Sequence, residues 1–193
     1  MNIAMNVPDQ GSRLQRFKDA TTSEHGRLDQ RIMDGRPFES RERYGMFLRV
    51  QYGFHATVDS AYQDRRLNAL IPDLAQRARL SDVERDLADL GIVPALLPAA
   101  PAFDLPEALG WLYVAEGSNL GGAFLFKEAA KLGLDEAFGA RHLAPHPEGR
   151  GLNWRRFKAD VDAIQLTGEE DARAMAGARQ AFHYVHELVT SIF

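Results

Sequence analysis

The first residue whose type could do chemistry is a histidine near the beginning of the chain. Apolar side chains recur there at spacings of three, four and seven residues, as on the inner face of a single helix. This stripe consists of Leu14, Phe17, Thr21, His25, Leu28 and Ile32. A single histidine on such a stripe is more often a hydrogen-bonded core residue than a ligand, so both interpretations stay open at this point.

A lysine on the same helix face favours the ligand interpretation. Lys18 precedes His25 by seven residues, which places it about 10 Å away along the helix axis. An inward-pointing lysine needs an anionic partner unless its flexible stem lets the charge reach solvent. A neutral imidazole that can bind iron, with a cation positioned for a propionate, is an arrangement that suits haem.

Three glycines interrupt a second apolar helix, at positions 117, 121 and 122. Each glycine in a helix interior costs about 0.5–1 kcal/mol relative to alanine, so the cluster needs an explanation. Gly117 and Gly121 share one face at i,i+4 spacing, and Gly122 is adjacent. Close packing against another helix is the more common reason for such a patch, and a flat ligand lying on bare backbone is the other.

Gln51 and His55 form a further polar pair, at i,i+4 spacing on an otherwise apolar helix. Such a pair is typical either of an internal hydrogen-bond network that holds helices in register or of a relay for protons and water. The other histidines are weaker candidates. Paired Glu-x-x-His motifs are absent from the sequence, which argues against a ferritin-like di-iron site.

The elements that must position these residues are all predicted to be helices, since no alternating strand pattern occurs. We expect an all-α, single-domain bundle of about eight helical pieces, with a flexible tail over residues 1–11 and the domain over 12–193. A capping box, Ser81 to Glu84, predicts one helix start, and a proline-rich loop is predicted over 91–106. The predicted helices span 12–34, 40–63, short pieces ending near 72 and 79, 81–90, a long helix from 106, 153–166, and 167 to nearly 193.

Composition narrows the class of protein. The 193 residues carry a net charge of −4, so nothing favours nucleic acid or an acidic membrane surface as a partner. The absence of cysteine excludes disulfides, thiolate ligation of haem and cysteine-held iron–sulfur clusters. We expect a cytoplasmic protein, because we find neither a signal peptide nor an apolar run of about 18 residues.

Three segments together resemble the bacterial haem oxygenases: TTSEHGRLD, EALGWLYVAEGSNLGGAFLFK, and FGARHL followed by Trp154. The resemblance runs from about residue 12 to residue 190, and the glycine segment is its most specific part. It implies a haem-oxygenase-like helical bundle in which haem is sandwiched between a proximal helix and a kinked distal helix. It also implies that haem b, as both substrate and cofactor, is cleaved with O₂ and electrons to biliverdin, CO and Fe²⁺.

The resemblance implies a role for each matching residue. His25 is the axial iron ligand, and Lys18, Met33 and Tyr113 contact the substrate. Mammalian relatives use a distal aspartate, whereas the matching stretch SNLGGAF has none, so ordered water must deliver the proton. The implied distal wall consists of Gly117, Ser118, Gly121 and Gly122. The implied hydrogen-bonded network consists of Gln51, His55, Arg79, His142 and Trp154.

Product and partners are likewise implied by the resemblance. Members that cleave haem at the β or δ position carry asparagine at the Lys18 position and lysine at the Met33 position, so this chain is expected to form biliverdin IXα. A ferredoxin or flavin reductase is the implied electron donor and a bacteriophytochrome a possible acceptor of the product. Nothing indicates an obligate oligomer, and we expect a monomer.

Two other functions stay open on the sequence alone. A non-catalytic haem carrier or sensor would share the axial histidine and the propionate contacts. Thiamin-degrading and cofactor-biosynthesis enzymes share the helical architecture, but they usually rely on a pocket cysteine or paired carboxylates, and this chain has no cysteine.

Overall fold

In a computed structural model of the chain, residues 11–96 and 101–193 are described, and their regular elements are all helices. Most of the predicted tail and part of the predicted proline-rich loop lie outside the described residues. The helices are α1 (Arg13–Asp34), α2 (Arg41–Tyr62), α3 (Arg65–Leu70), α4 (Leu80–Asp89), α5 (Leu105–Gly121), α6 (Ala123–Ala130), α7 (Arg150–Ala163) and α8 (Gly168–Ile192). Two short 3₁₀ turns cover Leu74–Arg77 and Arg141–Leu143.

Side-chain caps explain several of the helix starts. Ser12 and Ser40 each accept a hydrogen bond from the backbone three residues later, at the beginning of α1 and α2. Thr167 and Glu170 form a complete capping box at α8. These starts confirm the predicted ones.

Two predicted helix starts are wrong. α4 begins at Leu80, so Ser81 already lies in its first turn and cannot cap it. Arg79 occupies the capping position, and its side chain makes no capping hydrogen bond. α7 begins at Arg150 rather than at Asn153, directly after Gly149, whose φ of +87° belongs to the left-handed region. That backbone conformation favours glycine and marks where the loop turns into the helix.

α5 lies at the centre of the bundle and packs most extensively against α8. The two backbones approach closely where glycines face each other. A Cβ atom at Gly110 would lie 2.1 Å from the carbonyl oxygen of Ala174, and one at Gly177 would lie 2.4 Å from that of Glu107. α1 also packs mainly against α8 and touches α5 only marginally. Most of α1 therefore does not pack against α5.

The long helix predicted from Pro106 is two helices with a break at Gly122. Arg150 stabilises this break, because its Nη1 donates a 2.6 Å hydrogen bond to the carbonyl oxygen of Asn119 near the end of α5. A cation is favourable at a helix C-terminus, where carbonyl groups lose their helical partners. Within the described parts of the chain, no helix is long and apolar enough to cross a membrane.

Candidate active site

The predicted substrate-contacting face of α1 is exposed, which corrects the expectation that it lies on the inner stripe. The core side of the helix carries Leu14, Phe17, Thr21 and Leu28. His25 lies beside that stripe, and its side chain is 64% exposed. Lys18 is also exposed, so of the two alternatives for this lysine the structure supports the one in which its charge reaches solvent without an internal anion. Met33 is 40% exposed, and the three side chains form an exposed stripe along α1.

His25 is held by two neighbours despite its exposure. Its Nδ1 lies 3.0 Å from Oδ2 of Asp29, one helical turn later. Its ring packs edge-on against Phe182 of α8, with ring centres 5.8 Å apart. A carboxylate on one imidazole nitrogen orients the ring and leaves the other nitrogen as the candidate ligand, a pairing typical of metal-binding histidines.

The structure distinguishes between the two interpretations of the α5 glycines, close helix packing and a surface for a flat ligand. Apart from the neighbouring residues and backbone of the same helix, no atom in the described part of the chain lies within 4 Å of a Cβ built at Gly117 or Gly121. Close helix packing therefore does not explain these two positions, although it does explain Gly110. Ser118 on the same segment is exposed, whereas Gly122 is buried beneath Arg150. The result is a bare backbone surface beside the break, flanked by the partly exposed Leu120 and Phe124.

Tyr113 and Trp154 meet at the base of this surface. Tyr113 is buried one turn before Gly117, with its ring 5.5 Å from Phe17 of α1 and 6.1 Å from Trp154 of α7. Burial raises the pKa of its hydroxyl. The structure thus brings these two predicted site residues together, and the Phe17 contact connects them to α1.

Gln51, His55 and His142 are all buried and come from α2 and the turn Arg141–Leu143. Burial is the main cause that lowers the pKa of His55 to about 3, and the charges of His142 and Arg79 lower it further. His142 Nδ1 lies 2.8 Å from Oδ2 of the fully buried Asp86. His55 Nδ1 and His142 Nε2 have no hydrogen-bond partner among the described residues, and such buried nitrogens are sites for ordered water.

The sequence reasoning missed a buried carboxylate directly before Gly117. Glu116 accepts hydrogen bonds from the hydroxyl of Tyr62 at 2.8 Å and from Nη1 of Arg77 at 3.0 Å. Burial raises its pKa, and the charge and hydrogen bonds of Arg77 and Tyr62 only partly offset this. A glutamate inside an otherwise apolar helix segment needs a buried partner, and this signal could have identified it.

Glu116 also lies beside the same cavity as the predicted network residues Arg79 and Trp154. All three line one small cavity behind the glycine segment, together with Asn119 and Arg150. Arg79 donates to Asp82 at 3.2 Å and to the carbonyl of Ala144 at 3.4 Å, so its position along the cavity is defined. A cavity with these polar walls suits an ordered water.

Comparison with known proteins shows which family the chain belongs to. The sequence profile of the haem oxygenases matches residues 12–191. The chain belongs to the haem oxygenase family. It is 44% identical to the haem oxygenase PigA of Pseudomonas aeruginosa, over 99% of this chain and 98% of the relative. It is 31% identical to a haem oxygenase of Xanthomonas campestris, over 75% of this chain and 87% of the relative.

Solved structures give the same result for the fold. The haem oxygenase of Neisseria meningitidis, determined with NO and CO bound, is 45% identical and superposes with a TM-score of 0.91, covering 94% of this chain and 92% of that one. The haem oxygenase of Leptospira interrogans shares the fold at a TM-score of 0.69, with 15% identity and coverage of 94% and 100%.

The predicted all-α fold and the predicted function, enzymatic degradation of haem, are therefore confirmed at the level of the family. The alternative of a non-catalytic carrier is not favoured. The roles of the individual site residues are not tested by these comparisons and remain predictions.

Proposed function

We propose that the chain cleaves haem b between the exposed stripe of α1 and the bare backbone of Gly117 and Gly121. The observation that carries this proposal is the open space at these two glycines, where an added Cβ atom would meet no other element of the described protein. The residues present fit haem: an accessible imidazole on one side, a flat surface without side chains on the other, and apolar flanks at Met33, Leu120 and Phe124.

His25 is the proposed axial ligand of the haem iron. Its Nδ1 is occupied by Asp29, which directs the other ring nitrogen to the metal. Bound haem supplies the iron that activates O₂, and the absence of cysteine means that the axial ligand is not a thiolate. The task of α1 is thus to present a neutral imidazole at fixed orientation.

The distal residues position water rather than acting as strong acids. Gly117 and Gly121, with the exposed Ser118 between them, leave room for O₂, whereas Gly122 of the predicted distal wall is covered by Arg150 and forms the break behind them. Gln51, His55, Arg79, His142 and Trp154 hold ordered water that brings the proton. Glu116 is a carboxylate near this region, but Tyr62 and Arg77 occupy both of its oxygens, so we assign it to positioning the segment before Gly117. A proton supplied through water rather than by a strong acid would suit hydroxylation of the porphyrin edge, the step that begins cleavage of haem.

Lys18, Met33 and Tyr113 are the proposed contacts that set the rotation of haem in its site. Lys18 is exposed and free to reach a propionate, and the Met33 side chain presents an apolar surface on the same face of α1. This combination supports cleavage at the α position and therefore biliverdin IXα as the product.

The remaining steps need partners outside this chain. We propose a ferredoxin or a flavin reductase as electron donor, a cytoplasmic location and a monomeric state, with a bacteriophytochrome as one acceptor of the product. These follow from the family resemblance and from the electrons that haem degradation consumes.

The test is turnover of haem by the purified protein with O₂ and a reducing system. We expect loss of the haem absorption and appearance of biliverdin IXα, identified by chromatography. His25→Ala should lose the axial ligation spectrum and most turnover. His183→Ala is the matched control, because His183 is also an exposed histidine with a carboxylate, Glu187, at i+4 and 3.1 Å. Haem that persists unchanged in the wild-type protein would contradict the proposal.

A further inference from the structure

Asp86 is a fully buried carboxylate on α4 with four hydrogen bonds to its two oxygens. Oδ1 accepts from the backbone N–H of Arg141 at 3.0 Å and from its Nη1 at 3.1 Å. Oδ2 accepts from the backbone N–H of His142 at 3.0 Å and lies 2.8 Å from its Nδ1. Although burial alone raises the pKa of Asp86, these hydrogen bonds outweigh it and lower the pKa. Asp86 is therefore an ionised group that only accepts.

This arrangement decides which nitrogen of His142 carries the proton. A lone pair on Nδ1 facing an ionised carboxylate at 2.8 Å would be repulsive, so Nδ1 must donate. In the neutral ring Nε2 then carries a lone pair and can only accept. Nε2 is buried, and no described residue donates to it.

The proposed network contains a second unpartnered nitrogen. His55 Nδ1 is buried and has no partner in the described chain. Burying polar nitrogens without partners is unfavourable, and ordered water can satisfy them, since a water both donates and accepts.

We propose that Asp86 fixes His142 as the Nδ1–H tautomer and thereby makes its buried Nε2 the acceptor that orients an ordered water. The water donates a hydrogen bond to His142 Nε2, so the lone pairs of the water oxygen point toward the rest of the network. Asp86 is a positioning residue that acts through His142. This inference deepens the proposed function, since it rests on His55 and His142 belonging to the distal network.

The tautomer can be measured on the haem-free protein by long-range ¹H–¹⁵N NMR with ¹⁵N-labelled histidine. We expect Nδ1 of His142 to show the chemical shift of a protonated nitrogen and Nε2 that of an unprotonated one. His142→Gln identifies the signals by their loss. A protonated Nε2 in the wild-type protein would overturn the proposal, whether or not any variant folds.

Contact between the buried water and the His142 ring is tested in the same sample. Cross-relaxation between a long-lived water and the ring protons of His142 is the expected result. Its absence overturns the ordered water at Nε2. Because haem is absent from these measurements, failure of haem turnover leaves the tautomer result standing, and the two proposals fail separately.

Asp86→Asn and Asp89→Asn form a matched pair of variants. Asp89 also binds Arg141 and accepts from the backbone N–H of Gly139 at 2.8 Å, but it does not contact His142. An amide at position 86 can donate to Nδ1, so we expect the Nε2–H tautomer in Asp86→Asn and the wild-type tautomer in Asp89→Asn. In the haem-loaded proteins, biliverdin yield should fall several-fold only in Asp86→Asn. A switched tautomer with unchanged yield would overturn the positioning role.

Discussion

The side chains of Lys18, His25 and Met33 lie on the edge of α1 that faces away from the core, where they remain accessible. Helical spacing placed His25 on the same stripe as Thr21 and Leu28, but a residue at the margin of such a stripe is buried only if another helix covers it. α8 covers the core side of α1, and α5 touches α1 only marginally. For a ligand-binding histidine this exposure is necessary, since a fully packed ring could not reach an external metal.

Exchange of the two substrate-contacting side chains on α1 should change the product of the reaction. In Lys18→Asn/Met33→Lys, the cation moves by about four helical turns along the same face, so the propionates are attracted to a new position and haem rotates. We expect the product to shift from the α isomer toward the β or δ isomers, as measured by chromatography. Lys158→Asn, which changes a partly exposed lysine on α7 paired with Asp162, should leave the isomer ratio unchanged.

At the scale of the element, α5 uses glycine for two different purposes within one helix. At Gly110 the absence of a side chain allows the α8 backbone to approach, whereas at Gly117 and Gly121 it leaves a surface uncovered. The sequence pattern is the same in both cases. The difference arises from which helix lies opposite, and this depends on the way that α8 crosses α5.

Alanine substitutions at Gly110 and Gly117 should have opposite effects on stability, and only the second should act directly on turnover. A Cβ at Gly110 would meet backbone at 2.1 Å, so Gly110→Ala should lower the free energy of unfolding by about 1–3 kcal/mol or more, because the helices must move apart. Gly117→Ala should raise it by about 0.5–1 kcal/mol through helix propensity, while haem turnover falls because a methyl group enters the proposed site. Urea unfolding and a turnover assay measure the two effects. Equal loss of stability in both variants would contradict the assignment.

At the scale of the whole molecule, buried polar groups connect helices that are distant in sequence. Arg77 and Glu116 form a buried ion pair between the turn Leu74–Arg77 and α5, and Asp86 joins α4 to the turn that carries His142. Breaking one partner of such a pair leaves an uncompensated charge in the interior. The first of these connections lies directly before Gly117, so the ion pair that joins the turn to α5 also supports the candidate site.

The buried His55 should make the stability of the haem-free protein depend on pH. Its pKa is about 3 in the folded protein, against about 6.5 in an unfolded chain. The unfolded state therefore binds more protons between these values, and stability is fully present above about pH 6.5 and decreases as the pH falls toward 3. This single group changes the free energy of unfolding by at most about 1.4 kcal/mol per pH unit.

Urea unfolding between about pH 7 and about pH 5 measures this dependence. We expect the decrease in unfolding free energy to be smaller in His55→Gln than in the wild-type protein. His183→Gln, which removes an exposed ring, should behave like the wild type. Identical pH dependence in all three proteins would show that His55 is not buried in its neutral form.

Local features of the sequence were sufficient for the helical class, for most helix starts and for the family. Caps such as Ser12 and Thr167 act within one turn, and the glycine segment is a continuous motif, so neither requires knowledge of distant contacts. Only the tertiary structure decided four features: the close packing at Gly110, the open space at Gly117, the exposure of His25 and the partners of Glu116 and Asp86. Each depends on which element lies opposite, and that arrangement results from the packing of helices far apart in the chain.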